Sequence, residues 1–170
     1  MSELNALPDE GWRTAVIRDF AASELFDRTF REGMDLVEET AVYLDGAGRQ
    51  ESKRLSRRAA LAYASESMRL TTRLMQLASW LLVQRAVREG QMAPTEACND
   101  RYRMADELSK PSAEPAEILP EGLNSLLERA SRLFERVSHL DRRMYVEAAP
   151  DADNHPVLAQ QDRLQAAFGR

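Results

Sequence analysis

The sequence predicts an all-α fold, a bundle of three long helices running up, down and up, with a short extra helix and flexible tails. Two observations lead to this prediction. Three long stretches carry apolar residues three and four positions apart, which is the period of an amphipathic helix. No stretch alternates apolar and polar residues over the length that a strand requires. Both point to helices packed on helices.

The central helix is predicted over residues 56–89, a stretch that contains neither Gly nor Pro. Strong helix formers fill it, and a continuous helix of this length is about 50 Å long. From Leu74 to Val83 the apolar residues spread almost all round the helix, with Trp80 among them. A helix that is apolar on all sides must be covered from more than one side. We therefore expect it to be the middle layer, with a neighbour on each flank or a second subunit against it.

Residues that cap or break helices predict the bounds of the other elements. The first long helix is predicted from Ser23, a suitable N-cap, to Leu44, where Asp45–Gly48 ends it. Gly33 lies in its apolar stripe and predicts close approach of a neighbouring helix. A short helix is predicted at 94–108, followed by a Pro-rich linker at 109–120. The last long helix is predicted at 121–145, with a nearly heptad stripe that favours nearly parallel or antiparallel packing.

The predicted domain organisation is a loose N-terminal arm at 1–22, a helical bundle at 23–146 that contains the linker, and a flexible C-terminal tail at 147–170. Trp12, Val16 and Ile17 in the arm are apolar residues that could contact the bundle. The predicted core of the bundle consists of Phe30, Val37, Met68, Leu74, Trp80, Leu81, Leu133, Phe134 and Val137.

Composition excludes several classes of protein. The net charge of -5 argues against nonspecific binding of nucleic acid, which requires a basic face. The single cysteine, Cys98, allows no internal disulfide and fits a reducing cytoplasm. The N-terminus has no signal-peptide pattern, and the longest uncharged run of the central helix is too short to span a bilayer. We therefore expect a cytoplasmic protein with no membrane span and no direct contact with nucleic acid.

Catalytic and metal-binding motifs are absent from the sequence. It contains no Gly-x-Ser-x-Gly elbow, no phosphate-binding Gly loop and no paired metal ligands. We interpret His139 as a residue at the boundary of the last helix and His155 as a loop residue. Cys98 is interpreted as an inert thiol. Glu66 could face Glu38 or Glu39 of the first helix, and paired carboxylates can do acid–base chemistry. Arg69 and Arg73 one turn along favour an ion-pair network instead. The prediction is a protein that is not an enzyme and that has no cofactor and no metal site.

Two segments are candidate docking sites for partners. The corner between the first two long helices carries five basic residues: Arg49, Lys53, Arg54, Arg57 and Arg58. It is either a solvated corner with weak ion pairs or a patch that docks an acidic partner. The tail carries a second set, Val157, Leu158, Leu164 and Phe168, on one side of a short amphipathic segment. These apolar residues either dock on the bundle or fold on a partner.

The strings EGMDLVEETAVYLDG, LAYASESMRLTTRLMQLASWLL and QRAVREG resemble the RcdA family of alphaproteobacteria, regulators of CtrA degradation. The segment LFERVSHLDRRMY is similar to the last helix of that family, and the resemblance covers roughly residues 24–146. It implies a three-helix bundle that forms a homodimer in the cytoplasm, concentrated at the cell pole through its partners. The implied role is that of a non-catalytic adaptor that delivers cell-cycle regulators such as CtrA to the ClpXP protease. The implied partners are a receiver-domain response regulator and, for some substrates, a cyclic-di-GMP-binding protein.

The resemblance supplies no catalytic or binding residue to carry over. The arm, the linker and the tail match the family least, so the partners and substrates can differ. The alternative function is a helical dimerisation module that acts on a transcription factor and has no link to a protease. Contact with the protease machinery distinguishes the two.

Overall fold

The computed structural model describes residues 8–105 and 115–145, with side chains from residue 11 onward. These residues form helices and no strand, so the predicted all-α bundle is confirmed. The helices are α1 (Pro8–Ala21), α2 (Glu24–Asp45), α3 (Ala47–Ser52), α4 (Arg57–Arg88), α5 (Pro94–Ala97) and α6 (Glu121–Tyr145). Two single-turn 3-10 helices, Asp100–Tyr102 and Ala116–Ile118, lie in the connection between α5 and α6.

Local capping chemistry sets the ends of the long helices. The hydroxyl of Ser23 accepts a hydrogen bond from the backbone N–H of Phe26 at 3.1 Å and caps α2, as predicted. Ser56 caps α4 in the same way, with the N–H of Ala59 at 3.2 Å. Past the end of α4, Gly90 takes a φ of 72°, a left-handed conformation that glycine adopts at low cost. The three long helices therefore begin and end within a residue or two of their predicted bounds.

Helix α4 is the centre of the bundle, because α1, α2, α5 and α6 all pack on it. Its inward face buries Leu70, Leu77 and Leu81 completely, and Trp80 to 2% exposure. The Trp80 indole lies 5.8 Å from the ring of Phe20 in α1, between ring centroids. Helix α6 completes the core with Leu123, Leu133, Phe134 and Val137. Leu74 is also buried, whereas Phe30 and Val37 of α2 are half-buried and pack against the core.

Gly33 marks the closest approach between α2 and α4. A Cβ atom at this position would lie 2.5 Å from Cδ1 of Leu81, which is itself fully buried. The predicted close approach is therefore confirmed, and it explains why a glycine stands in the apolar stripe of a helix.

Three sequence predictions require correction. The sequence predicts Met68 in the core, but it is 72% exposed, because it lies on the face of α4 that none of the other described helices covers. The second half of the predicted arm is helix α1, which buries Ile17 and Ala21 completely against the bundle. The short helix predicted at 94–108 ends at Ala97 and gives way to a 3-10 turn. The predicted tail and residues 109–114 of the linker lie outside the described residues.

Candidate partner-binding surfaces

The outward face of α4 carries an apolar stripe with a spacing of seven residues. Leu61, Met68, Met75 and Leu82 are 68%, 72%, 66% and 50% exposed. Between them lie small or uncharged residues, Ala64, Ser65, Thr71, Thr72, Ala78 and Ser79. A seven-residue apolar repeat is the pattern of a helix that packs along another helix. We call this set of ten residues the α4 stripe.

No charged side chain interrupts the α4 stripe. Between Arg58 and Arg85, α4 contains three charged residues, Glu66, Arg69 and Arg73. Glu66 and Arg73 are buried, and the Arg69 side chain is 23% exposed. By helical period, Glu66 and Arg73 lie on the side of α4 away from the stripe, and Arg69 lies beside its edge. The stripe itself is uncharged over more than three heptads, which is unusual for a helix facing water.

A groove between α2 and α4 extends the stripe sideways. Its volume is about 240 Å³, and its walls are almost entirely apolar. The lining residues are Val37, Thr40, Ala41 and Leu44 of α2 and Thr71, Leu74, Met75 and Ala78 of α4. The groove is therefore continuous with the middle of the α4 stripe and can accommodate an apolar side chain.

The surface between α2 and α6 is charged instead. Arg129 of α6 donates to Glu39 of α2 at 2.7 Å, and Arg136 donates to Glu32 at 2.5 Å. The hydrogen bond from Arg129 lowers the pKa of the Glu39 carboxyl below its ordinary value, although the side chain is 52% exposed. This side of the bundle therefore satisfies its charges within the chain.

The basic corner lies on α3 and the first turn of α4. The side chains of all five predicted residues, Arg49, Lys53, Arg54, Arg57 and Arg58, are exposed. Arg49 lies 3.7 Å from the carboxylate of Asp45, and Lys53 donates to Gln50 at 3.3 Å. The acidic residues Glu32 and Glu39, by contrast, pair with α6 and not with the corner. The corner is therefore a solvent-facing positive patch.

Tyr43 holds the basic corner in place. Its ring lies between the backbones of Gly48 and Gly122, where an added Cβ would come within 2.6 Å of ring atoms. Its hydroxyl donates to Glu51 of α3 at 2.8 Å. Burial, together with the neighbouring Glu51 carboxylate, raises the pKa of the Tyr43 phenol above its ordinary value. The three elements α2, α3 and α6 are thus locked at one point.

A buried polar cluster fixes the segment after α5. Asp141 of α6 is 2% exposed and accepts from the indole N–H of Trp80 at 2.9 Å. The guanidinium of Arg103 donates to both carboxylate oxygens of Asp141, at 3.0–3.1 Å, and lies over the ring of Tyr145. Burial raises the pKa of the Tyr145 phenol to about 12, and its hydroxyl accepts from Gln84 at 3.0 Å. The hydrogen bonds from Arg103 and Met104 to Asp141 bind the 3-10 turn to the bundle.

The other residues weighed for chemistry are placed as follows. Glu66 pairs with Arg69 at 3.8 Å, which agrees with the ion-pair interpretation, while Glu39 pairs with α6. Among residues 8–105 and 115–145, no three His, Cys, Asp or Glu side chains are grouped to hold a metal ion. None of the described helices combines the length and apolar character that a bilayer-spanning segment requires. The candidate tail residues Val157, Leu158, Leu164 and Phe168 lie outside the described part of the chain.

Comparison with known proteins identifies the family. The family model DUF1465, described as a protein of unknown function, matches residues 17–168. The chain belongs to the DUF1465 family. It is also similar to a solved structure, the crystal structure of RcdA from Caulobacter crescentus CB15, with 67% sequence identity and a TM-score of 0.64. The match covers 76% of this chain and 98% of that chain. No curated protein matches.

The predicted resemblance to the RcdA family is thereby confirmed. The α4 stripe was not predicted as a binding surface, although the sequence carries its signal. That signal is the seven-residue spacing of Leu61, Met68, Met75 and Leu82, with every charged residue of the stretch confined to the other side of the helix.

Proposed function

We propose that this protein is a non-catalytic adaptor in regulated proteolysis, which helps to deliver cell-cycle regulators to the ClpXP protease. The single observation that carries the proposal is the 67% identity to RcdA of Caulobacter crescentus over 98% of that chain. Identity this high over a whole domain favours a shared role. The proposed partners are those that the resemblance implies: ClpXP, a receiver-domain response regulator, a cyclic-di-GMP-binding protein, substrates such as CtrA, and a second copy of the chain.

The physical requirements of an adaptor agree with the surfaces described above. An adaptor binds substrate and protease at separate places and so raises the effective concentration of one near the other, to the mM range for a short tether. The basic corner and the α4 stripe differ in chemistry, since one is charged and the other is uncharged. One rigid bundle can therefore hold two unlike partners at once.

The test is a reconstituted degradation assay. Purified ClpXP, the response regulator, the cyclic-di-GMP-binding protein and a cell-cycle regulator such as CtrA are combined with and without the protein. We expect the protein to accelerate loss of at least one regulator. If none of the regulators tried is degraded faster, the adaptor proposal is wrong, and the alternative of a dimerisation module without a protease link gains support.

Variants of the same assay locate the contacts. Deletion of residues 157–170 is expected to leave the melting temperature unchanged and to slow degradation of at least one substrate. Reversal of three corner charges, Arg54→Glu, Arg57→Glu and Arg58→Glu, is expected to weaken docking of an acidic partner. The matched control reverses three exposed arginines of α6: Arg132, Arg142 and Arg143. Equal degradation rates for the deletion and the intact chain, with every substrate tried, would exclude the tail as a contact.

A further inference from the structure

A small polar cleft opens between α4 and the 3-10 turn that follows α5. Its volume is about 210 Å³. One wall is formed by three residues of α4: Gln76, Trp80 and Val83. The other wall is formed by three consecutive residues: Arg101, Tyr102 and Arg103. It shares no lining residue with the basic corner or with the groove between α2 and α4. We call it the Arg101 cleft.

The guanidinium of Arg101 is exposed to solvent and yet held in place. The side chain is 62% exposed, and its guanidinium carbon lies 4.6 Å from the centroid of the Tyr102 ring. Its Nη2 donates to the Tyr102 hydroxyl at 2.6 Å. Within residues 8–105 and 115–145, its ion-pair partner is Glu96 at 3.8 Å, a loose contact. A guanidinium fixed in this way loses little side-chain freedom when it binds an anion.

A second guanidinium, that of Arg103, limits the charge of the ligand. Its Nε and Nη2 donate to Asp141, whereas its Nη1 makes no hydrogen bond to the described part of the chain. The Asp141 carboxylate neutralises the charge of Arg103, so the net positive charge of the cleft comes from Arg101. A phosphate monoester carries a charge of about −1.5 to −2, and its second charge would lie near Asp141 without a partner. The cleft therefore suits a carboxylate, which carries a single charge.

Gln76 supplies a hydrogen-bond acceptor to the same cleft. Its Oε1 is buried and has no hydrogen-bond partner among the described residues. A buried carbonyl without a partner is costly, so a ligand that donates to it gains binding energy. The side-chain amide turns about its last bond and can direct this oxygen toward the cleft. The ligand that fits best therefore carries an N–H group close to its carboxylate.

The volume of the Arg101 cleft limits the size of the ligand. It corresponds to about seven water molecules at about 30 Å³ each. This is less than the roughly 300–1,000 Å³ of sites that bind small molecules and cofactors. A nucleotide is therefore too large, whereas one amino-acid residue fits. A residue inside a peptide has backbone on both sides, but a terminal residue has backbone on one side and can enter a cleft of this size.

We propose that the Arg101 cleft binds the C-terminal residue of a partner peptide. The terminal carboxylate accepts hydrogen bonds from Arg101 and from Nη1 of Arg103. The amide N–H of the same residue donates to Gln76, and its side chain packs against Val83 and Tyr102. The carboxylate and this N–H are attached to one Cα atom, so a single residue reaches both. Capture of a C-terminal carboxylate is a recurring mode of peptide recognition.

The first experiment is an NMR titration of the full-length protein. The indole N–H of Trp80 reports on the cleft, because Trp80 lines it and donates to Asp141 at 2.9 Å beside Arg103. The chain contains two tryptophans, and the indole signal of Trp12 in α1 is the internal control. Trp12→Phe assigns the two signals.

The probe is the acetylated peptide Gly-Ser-Gly-Ser-Ala-Leu with a free C-terminal carboxylate. It should shift the Trp80 signal with a dissociation constant of about 0.1–1 mM, which is typical of a contact this small. The same peptide with a C-terminal carboxamide should bind at least ~10-fold more weakly, because it loses the charge-assisted hydrogen bonds.

A third peptide, Gly-Ser-Asp-Ser-Ala-Leu with a C-terminal carboxamide, carries its carboxylate on a side chain. It should bind no better than the other carboxamide. If it binds as tightly as the free acid, an acidic side chain is the occupant of the cleft, and the assignment to a chain terminus is wrong.

The second experiment uses Arg101→Gln, which should keep the wild-type melting temperature because the side chain is exposed. Its affinity for the free acid should fall at least ~10-fold, and its affinity for the carboxamide should stay the same. The matched control is Arg132→Gln on α6, which removes the same charge outside the cleft from a side chain that is 72% exposed. It should leave both affinities unchanged. Gln76→Glu places a carboxylate in the wall and should weaken the free acid more than the carboxamide.

The proposal is overturned if the free-acid peptide does not shift the Trp80 signal at about 10 mM, which is at least ten times the expected dissociation constant. It is also overturned if Arg101→Gln still distinguishes the acid from the carboxamide as the wild type does. The titration contains no protease, so its failure would leave the adaptor proposal standing. Peptide binding with no effect on degradation would do the reverse.

Discussion

The outward faces of α4 and α6 differ sharply, although both helices belong to the same core. Helix α6 presents eight exposed charged residues to solvent: Glu121, Glu128, Arg129, Arg132, Glu135, Arg136, Arg142 and Arg143. Helix α4 presents the uncharged stripe from Leu61 to Leu82 over a similar length. Their inward faces are alike, since both bury large apolar side chains completely. The outward face of α6 therefore suits water, whereas that of α4 suits contact with an apolar surface.

This contrast separates two uses of apolar residues on one helix. The inward residues of α4 hold the bundle together, whereas its outward residues are available to another molecule. The charged face of α6 is typical of a surface that stays in water. Substitutions on each face should therefore change different measured quantities, and the predictions below use that distinction.

The largest effect is expected from Trp80→Ala on the inward face of α4. It removes a side chain that is 2% exposed and the hydrogen bond to Asp141, so the free energy of unfolding should fall by about 3–5 kcal/mol. The measurement is urea unfolding at several protein concentrations. Trp80→Phe keeps most of the volume and should lose less.

The matched variant on the outward face is Met68→Ala. It should change the free energy of unfolding by less than about 0.5 kcal/mol, because Met68 is 72% exposed and its truncation leaves no buried cavity. An unchanged free energy of unfolding for Trp80→Ala would show that Trp80 does not stabilise the core.

A smaller effect is expected where α2 meets α4. In Gly33→Ala the new methyl group would lie 2.5 Å from Cδ1 of Leu81, which is fully buried and must shift, so we expect a loss of about 1–3 kcal/mol. Gly11→Ala in α1 is the control, because no atom lies within 4 Å of the added Cβ. That variant should gain about 0.5–1 kcal/mol from helix propensity. Melting temperatures that shift in the same direction would contradict the close approach.

The smallest effect is expected on the charged surface between α2 and α6. Glu39→Gln removes the partner of Arg129 and should cost less than about 1 kcal/mol at pH 7, because the pair is exposed. The pKa of Glu39 is lowered in the folded chain, so its contribution is present above the unfolded value of about 4.3 and fades as pH falls through the folded value.

Unfolding free energies measured from pH 3 to 7 should therefore differ between wild type and Glu39→Gln near neutrality and converge in acid. The control is Glu38→Gln, which removes the same charge from the neighbouring exposed position and leaves the partner of Arg129 in place. A difference between wild type and Glu39→Gln that grows in acid would contradict the assigned direction of the pKa shift.

Local chemistry explains why the long helices could be predicted. Ser23, Gly90 and Pro120 act within a few residues of themselves, so their effect can be read directly from the sequence. Helix α1 could not be predicted in this way. A short helix is marginal by itself, and α1 depends on tertiary burial of a few residues such as Ile17 and Ala21.

Met68 shows the limit of periodicity on the central helix. When apolar residues surround a helix, the period places them on faces but does not tell which face the chain itself covers. The structure shows that α1, α2, α5 and α6 cover one side of α4 and leave Met68 outside. The basic corner could be predicted from the sequence, because its charges alone indicate an exposed surface. The α4 stripe could be recognised as a surface only from the structure, which shows which side of α4 is covered.

The ring of Tyr43 packs between Gly48 and Gly122, so the residue types that these three positions can accept depend on one another. A side chain at either glycine would occupy the space of the ring, so neither position can diverge while an aromatic residue stands at position 43. A descendant that lost the ring could accept a larger residue at position 122, but α3 would lose its anchor, and at position 48 an added Cβ would still lie 2.7 Å from the hydroxyl of Tyr63. The orientation of the basic corner therefore depends on all three residues together. A substitution at any one of them would change how the corner is oriented on the bundle.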